Sequence, residues 1–437
     1  MVDRPHRGGW HLTGGTVRAT SLAVIAGLTG VVLGRPDLVV LATPFGLLSV
    51  LALAHAPRDE VTGRVHLQDR WLHEGQSTSL RVHVHAEDAL DQVTVTLAKA
   101  PHVLTSPPGG VLVTTPVPGQ PECTVRFQVS PRRWGRRASG RPMVAATSSW
   151  GGFRWGPQQL SEPTLVALPQ PWAFDATEAP NPVGLIGQNR ARRPGAGTEF
   201  HSIRPFQPGD RLRRVNWRTT LRTGRLHAVG TSSQQDSAIM IVLDAVTDVG
   251  RSDGIDGAAS TLDVGVRAAS ALAAHHLGVG DRVSLRVLGR TAQVLGPGVG
   301  ERHRRRLQEV LAQVRPGWPD LLTSRRLRVP ASPGTIVVVL SPLLTEEMTT
   351  VVVSLAHRGL DVVCVDTLAE GVLPEQADDP GSAARLAWRM RLVEREMQLT
   401  EVRRRGIPVV PWRGPGTLDE ALRRLSRRSR LPRAVSR

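Results

Sequence analysis

Two apolar segments near the N-terminus constrain this chain more than any other feature. Residues 19–34 and 38–56 contain no Asp, Glu, Lys or Arg. The second approaches the roughly 20 residues that cross a hydrocarbon core, and the first is somewhat shorter. Gly34, Arg35, Pro36 and Asp37 between them make a turn, and neither segment carries an amphipathic period. The pair predicts a transmembrane helical hairpin, with Arg18 snorkelling to lengthen the first span. Arg4, Arg7 and Arg18 outnumber the single Arg35 of the connector. The excess of positive charge therefore places the N-terminus, and everything after residue 56, in the cytoplasm. The expected location is the cell membrane, with two spans and both termini cytoplasmic. A buried core pair and a secretory signal cleaved after Ala54-His55-Ala56 are the competing readings. A signal's apolar region runs to about 15 residues, and two segments with a turn exceed that.

Beyond residue 60 the pattern changes. Short alternating runs at 79–85, 92–97, 111–115 and 123–129 are separated by Pro- and Gly-rich clusters, as in a small all-β sandwich with one face of each sheet buried. His83 and His85 share a strand face there, a pairing that an ordinary outer face explains. The basic cluster around Trp134 and the aromatics Trp150, Phe153 and Trp155 read as hairpin-edge packing. Residues 169–196 are rich in proline and polar side chains and form a linker. From 238 onward, apolar strands at 238–243, 282–288, 335–340, 361–365 and 408–412 alternate with helical patterns at 258–277, 301–314, 345–357, 383–405 and 418–427. That alternation predicts an α/β, Rossmann-type domain with a mostly parallel sheet. The expected organisation is a basic N-terminus (1–18), the two spans (19–56), the sandwich (60–168), the linker (169–196), a distinctive segment (197–236), the α/β domain (237–430) and a basic tail (423–437).

Residues 197–226 are the distinctive stretch. Arginines recur through it, but acids (Glu199, Asp210), aromatics (Phe200, Phe206, Trp217) and the turn Pro208-Gly209-Asp210 stand among them. A solvated basic run needs none of these; the mixture predicts guanidinium groups held against rings and carboxylates. Trp217 and the two phenylalanines are expected in a core or between domains. Glu199 and Asp210 are expected to pair with arginines of the same block, fixing the sandwich against the α/β domain. In order, Gly197, Glu199, Phe200, Arg204, Gly209, Asp210, Arg213, Asn216, Trp217, Arg222 and Leu226 resemble the signature of the domain-of-unknown-function 58 family. These are membrane proteins in which the signature leads into a von Willebrand factor type A-like domain. The chain departs with Phe206 where the family has Tyr, and with Thr220-Leu221 where it has Ser-Ala. The resemblance implies a protein-binding scaffold working beside a MoxR-type AAA+ ATPase in assembly or maturation of an envelope-associated complex.

In a parallel sheet, ligands sit at the carboxyl ends of strands, so Asp244 and Ser341 are the positions to examine. The von Willebrand A resemblance implies a divalent ion there, held by Asp-x-Ser-x-Ser. This chain reads Asp244-Ala245-Val246-Thr247-Asp248, and Val246 cannot ligate. Ser341 is followed by Pro342, where relatives often carry Asp. Asp244, Thr247 and Asp248 remain as weak candidate oxygen donors. No metal is assigned, no cofactor is expected, and Asp244 is read as capping a loop.

Other enzyme signatures fail. Lys99 is the sole lysine and sits outside any phosphate-binding loop; there is no His-Glu-x-x-His and no Gly-x-Ser-x-Gly. The chain is expected not to be an enzyme, with a metal-dependent enzyme at Asp244 as the alternative. The net charge of +17 is almost all arginine, which fits a GC-rich coding bias. Anionic lipid remains a reading of that charge, and nucleic acid a further alternative that is not favoured. Cys123 and Cys364 are the only cysteines, which points to a reducing compartment.

Overall fold

The computed structural model describes residues 9–117, 119–170, 194–206, 215–232, 238–278, 280–318 and 335–412, with side chains of 194–204 and 228–232 left aside. The chain divides into two compact units, Met1–Leu168 with Asp253–Asp256 and Pro169–Ser252 with Gly257–Arg437.

The first unit opens with strand β1 (Trp10–Leu12), inside the stretch read as a polar N-terminus; three residues are too few for a period to register. Helices α1 (Gly14–Val32) and α2 (Pro36–Ala54) follow, each of 19 residues. At 1.5 Å per residue each is about 28 Å long, close to the hydrocarbon thickness of a bilayer. α1 starts five residues before the apolar run because Thr13 caps it, its hydroxyl accepting from the Thr16 N–H at 3.2 Å. Both helices are long and apolar enough to cross a membrane. Their large side chains point outward: Val31 is 74 % exposed and Val40 71 %. That disposition overturns the buried-core reading, since a core pair turns such side chains inward.

Small residues meet where the helices touch. Gly27 lies near Ala42 and Gly46 near Ala23, and a Cβ on Gly30 would come within 2.8 Å of Val39. Thr20 donates to Ser49 across the pair at 3.0 Å. Close approach plus a crossing hydrogen bond is how helices associate where no hydrophobic driving force separates them from their surroundings.

The rest of this unit is β-rich: β2 (Thr62–Leu67), β3 (Trp71–His73), β4 (Thr78–His85), β5 (Leu90–Leu97), β6 (Val103–Ser106), β7 (Val111–Thr114), β8 (Glu122–Pro131), β9 (Gly135–Ala138), β10 (Pro142–Ser148), β11 (Phe153–Gln159) and β12 (Thr164–Leu168). They form two antiparallel sheets, in the orders β2-β4-β8-β6 and β1-β11-β10-β5-β7, and a third, β3-β12-β9, in which β3 runs parallel to β12 and β9 antiparallel. Alternation decides the faces. Leu80, Val82 and Val84 of β4 share one core with Val93, Val95 and Leu97 of β5 and with Phe127 and Val144. His83 and His85 fall on the opposite face of β4, and the His83 ring meets the Thr124 hydroxyl at 3.0 Å. Trp134 is buried in the β8–β9 turn, where its N–H donates to Glu74 at 2.9 Å and Arg133 stacks over its ring at 5.7 Å. Trp155 is buried in the core, whereas Trp150 stands 54 % exposed.

The second unit begins, among described residues, with the pair β13 (Pro194–Pro205) and β14 (His227–Ser232), antiparallel, with α3 (Trp217–Thr223) between them in sequence. The α/β part then runs β15 (Ala238–Ala245), α4 (Thr261–Gly278), β16 (Arg282–Gly289), β17 (Gln293–Gly298), α5 (Gly300–Leu311), β18 (Ile336–Ser341), α6 (Glu346–His357), β19 (Asp361–Asp366), α7 (Ala383–Arg404) and β20 (Val409–Pro411). The sheet order is β17-β16-β15-β18-β19-β20, all parallel except the β17 edge. β15 and β18 are buried on both faces, which is why they read as near-continuous apolar runs. β17 escaped the sequence reading because Gly296, Pro297 and Gly298 break its alternation. The predicted helix at 418–427, the basic tail and linker residues 171–193 lie outside the described residues.

Candidate functional site

Successive strands are added on one side of β15 through β16 and on the other through β18, so the strand order reverses between β15 and β18 although the two run parallel. Crevices at such a reversal, on the carboxyl side, are where open α/β sheets place ligands. Asp244 ends β15 there and Ser341 ends β18, both buried.

Each of three neighbouring parallel strands ends in the same device. The Val246 N–H donates to Asp244 Oδ1, the Leu343 N–H to Ser341 Oγ, and the Leu368 N–H to Asp366 Oδ1, each at 2.9 Å. In each, the side chain two residues back stands in for a backbone acceptor and turns the chain off the strand. The caps are also linked to one another. Ser341 Oγ donates to Asp244 Oδ2 at 2.6 Å. Arg395 of α7 bonds Asp366 Oδ2 and donates from Nε to the Pro342 carbonyl at 2.6 Å. Burial pushes the Asp244 carboxyl up to about 6, against the opposing pull of its bonds from Ser341 and the Val246 N–H.

Of the remaining members of the predicted donor set, Asp248 is engaged elsewhere and Thr247 is not. Asp248 Oδ1 accepts from the Leu262 N–H at 3.1 Å, and Thr261 Oγ1 from the Val249 N–H at 2.9 Å. Ser260 and Asp263 cap the start of α4 reciprocally. Thr247 Oγ1 is buried without a hydrogen-bond partner. Val246 offers no ligand, Asp248 is tied to α4 and each Asp244 oxygen already accepts a hydrogen bond, which leaves Thr247 as the one unengaged donor residue of the set. This donor set does not fit the octahedral oxygen shell that Mg2+ demands. Among the described residues, no group of three or more His, Cys, Asp or Glu side chains is placed to hold a metal ion. Cys364 lies nearby in β19, fully buried; burial and the Asp366 and Asp244 charges push its thiol far up, so it is inert.

The signature block has the opposite character. Gly197, Glu199, Phe200 and Arg204 lie along β13, pairing for example Phe200 with Thr231 and Arg204 with Ala228. Gly209, Asp210 and Arg213 fall outside the described residues, as do any pairings of Glu199 and Asp210 with arginines. Phe206 is half-buried, its N–H donating to the Leu226 carbonyl at 2.9 Å. Asn216 caps α3, its side chain accepting from the Thr219 N–H at 3.0 Å while its own N–H reaches the His227 carbonyl at 2.8 Å. Gly224 closes the helix in the left-handed conformation, φ 71°. Thr220, one of the two departures from the family pattern, keeps a hydroxyl that accepts from the His227 N–H at 3.1 Å. Trp217, expected to be core or interdomain packing, is 62 % exposed and so lies outside the core of its own unit. Leu221, one helical turn on, is 83 % exposed, and Arg218, Arg222 and Arg225 around it are exposed too. Leu226 is 45 % exposed.

The family whose pattern these residues follow also matches independently. Residues 202–379 fit the model of the family described as Protein of unknown function DUF58. The match spans α3, the β15–β18 reversal and the Asp244–Ser341 bond, so both sites lie inside it. No curated protein matches the chain. Among solved structures, the cupredoxin domain of amoB from Nitrosocaldus yellowstonii is similar at 10 % identity, covering 25 % of this chain and 88 % of that one, with a TM-score of 0.16. The human F-spondin reeler domain is similar at 15 % identity, covering 28 % and 99 %, with a TM-score of 0.17. Likenesses of that size carry no weight for fold or function.

Sequence reasoning picked out Asp244 and Ser341 but missed their direct bond and the Arg395 latch. Nothing local to residue 395 signals that it reaches two other strand ends. The turn-forming habit of Asp and Ser two residues before a loop N–H was the available clue for the three caps.

Proposed function

We propose that this chain is a membrane-anchored, cytoplasm-facing protein-binding scaffold that acts with a MoxR-type AAA+ ATPase, in assembly or maturation of an envelope-associated complex. The observation that carries it is the exposed pair Trp217 and Leu221, one turn apart on α3 and flanked by Arg218 and Arg222. Tryptophan and arginine dominate binding hot spots, and a large apolar pair left in solvent inside a family-matching segment calls for a partner surface. The sheet order with one antiparallel edge supports reading the α/β part as von Willebrand A-like, a fold in which binding rather than catalysis is common. The bonds that Asp244 accepts from the Ser341 hydroxyl and the Val246 N–H support a structural role for that residue. α1 and α2 supply the anchor.

The test is capture of the tagged full chain from native membranes in mild detergent. An AAA+ ATPase in the wild-type eluate, reduced about tenfold or more by Trp217→Ala, supports the scaffold. Absence of such an ATPase, or equal recovery with the variant, sinks it.

A further inference from the structure

Helix α7 carries two apolar seams, and only one is covered. On the inner side Trp388, Leu399 and Val402 are buried, and Arg391 and Arg395 bond the Leu344 and Pro342 carbonyls. On the outer side Leu386, Met390, Val393 and Met397 are 59 %, 60 %, 65 % and 70 % exposed. Their spacings of four, three and four residues are those of a coiled-coil a/d seam. A surface helix of an α/β unit needs one apolar stripe; a second, continuous over three turns, marks an interface.

We propose that this seam binds the α7 helix of a second copy of the chain, packed antiparallel about a two-fold axis. The charge pattern selects that occupant and that direction. With Leu386 opposite Met397 of the second copy and Met390 opposite its Val393, Arg389 of each helix flanks Glu396 of the other, giving two symmetric opposite-charge pairs. Parallel packing in the same seam would set Arg389 against Glu394 but also Glu396 against Glu401, so that attraction and repulsion offset each other. In the single chain Glu396 accepts from Arg403 at 2.9 Å, an exposed pair that is cheap to exchange. At the Met397 end a groove of about 580 Å³, also lined by Trp318, Arg391 and Glu394, lies open where Leu386 of the second copy would arrive. Methionines at two of the four seam positions suit such a surface because they adapt to the partner's contour.

The experiment is light scattering of the full chain in detergent micelles across a concentration series, reporting the protein mass per particle. The wild type is expected to be a dimer that dissociates on dilution. Met390→Gln with Val393→Gln is expected to be monomeric throughout. Arg389→Glu alone and Glu396→Arg alone should each weaken pairing about tenfold or more, and the two together should restore it. A wild type that is monomeric at every concentration overturns the proposal. So does a dimer that survives the glutamine pair, because its contact then lies elsewhere. Failure of the charge swap to restore pairing overturns the antiparallel register.

Discussion

The end of β15 and the surface of α3 lie close in sequence within one family-matching segment, and they treat their polar and apolar groups in opposite ways. At Asp244 the chain buries a carboxyl group and gives each of its oxygens a partner: Val246 N–H on one, the Ser341 hydroxyl on the other. On α3 the backbone is closed at both ends, by Asn216 and Gly224, while Trp217 and Leu221 are left in solvent. At the place where an open α/β sheet most readily holds a ligand, Asp244 and Ser341 cap the loops that follow their strands. The place with least core to offer is the one built like a binding surface.

The sharpest way to break this contrast is to remove the Asp244 charge. An unfolded carboxyl ionises near 3.8 and the folded one near 6, so the folded chain keeps a proton that the unfolded chain has lost. The stability this group contributes is full below about pH 4 and disappears as pH rises through 6. Asp244→Asn should therefore raise stability at pH 7 by on the order of 3 kcal/mol and abolish that pH dependence. Hydrogen exchange of the β15 amides between pH 4 and 7 measures it; an unchanged pH profile would show that Asp244 is not the titrating group. Next in size, Ser341→Ala strips the donor from Asp244 and the acceptor from the Leu343 N–H, a loss of about 1–3 kcal/mol in the same exchange experiment. Asn216→Ala should cost about 1 kcal/mol, seen as faster exchange in α3 alone. Thr220→Val should loosen the His227 N–H while Thr220→Ser leaves it protected. Smallest of all, Trp217→Ala should move the unfolding midpoint of its unit by less than about 0.5 kcal/mol while reducing partner capture. A large loss of stability there would place Trp217 in packing and erase the contrast.

Much of the architecture could be read from residue patterns because it depends on local period. The apolar segments became α1 and α2, the alternating runs became β4, β5, β7 and β8, and the near-continuous runs became the parallel strands from β15 to β19. Short or interrupted elements were illegible for the same reason. Trp10–Leu12 is too brief to show a period, and Gly296-Pro297-Gly298 disguises β17. At the candidate sites the sequence named the residues and left their partners open.

What composition and order determined alone was therefore the kind of unit along the chain and the residue types available at each strand end. Tertiary structure decided the rest: that Ser341 meets Asp244 across a gap of 97 residues, that Arg395 latches a strand end from a distant helix, and that Trp217 faces water. Hydrophobic period is a property of neighbours in sequence. Burial and hydrogen-bond partnership belong to neighbours in space, and those exist only once the sheet has assembled.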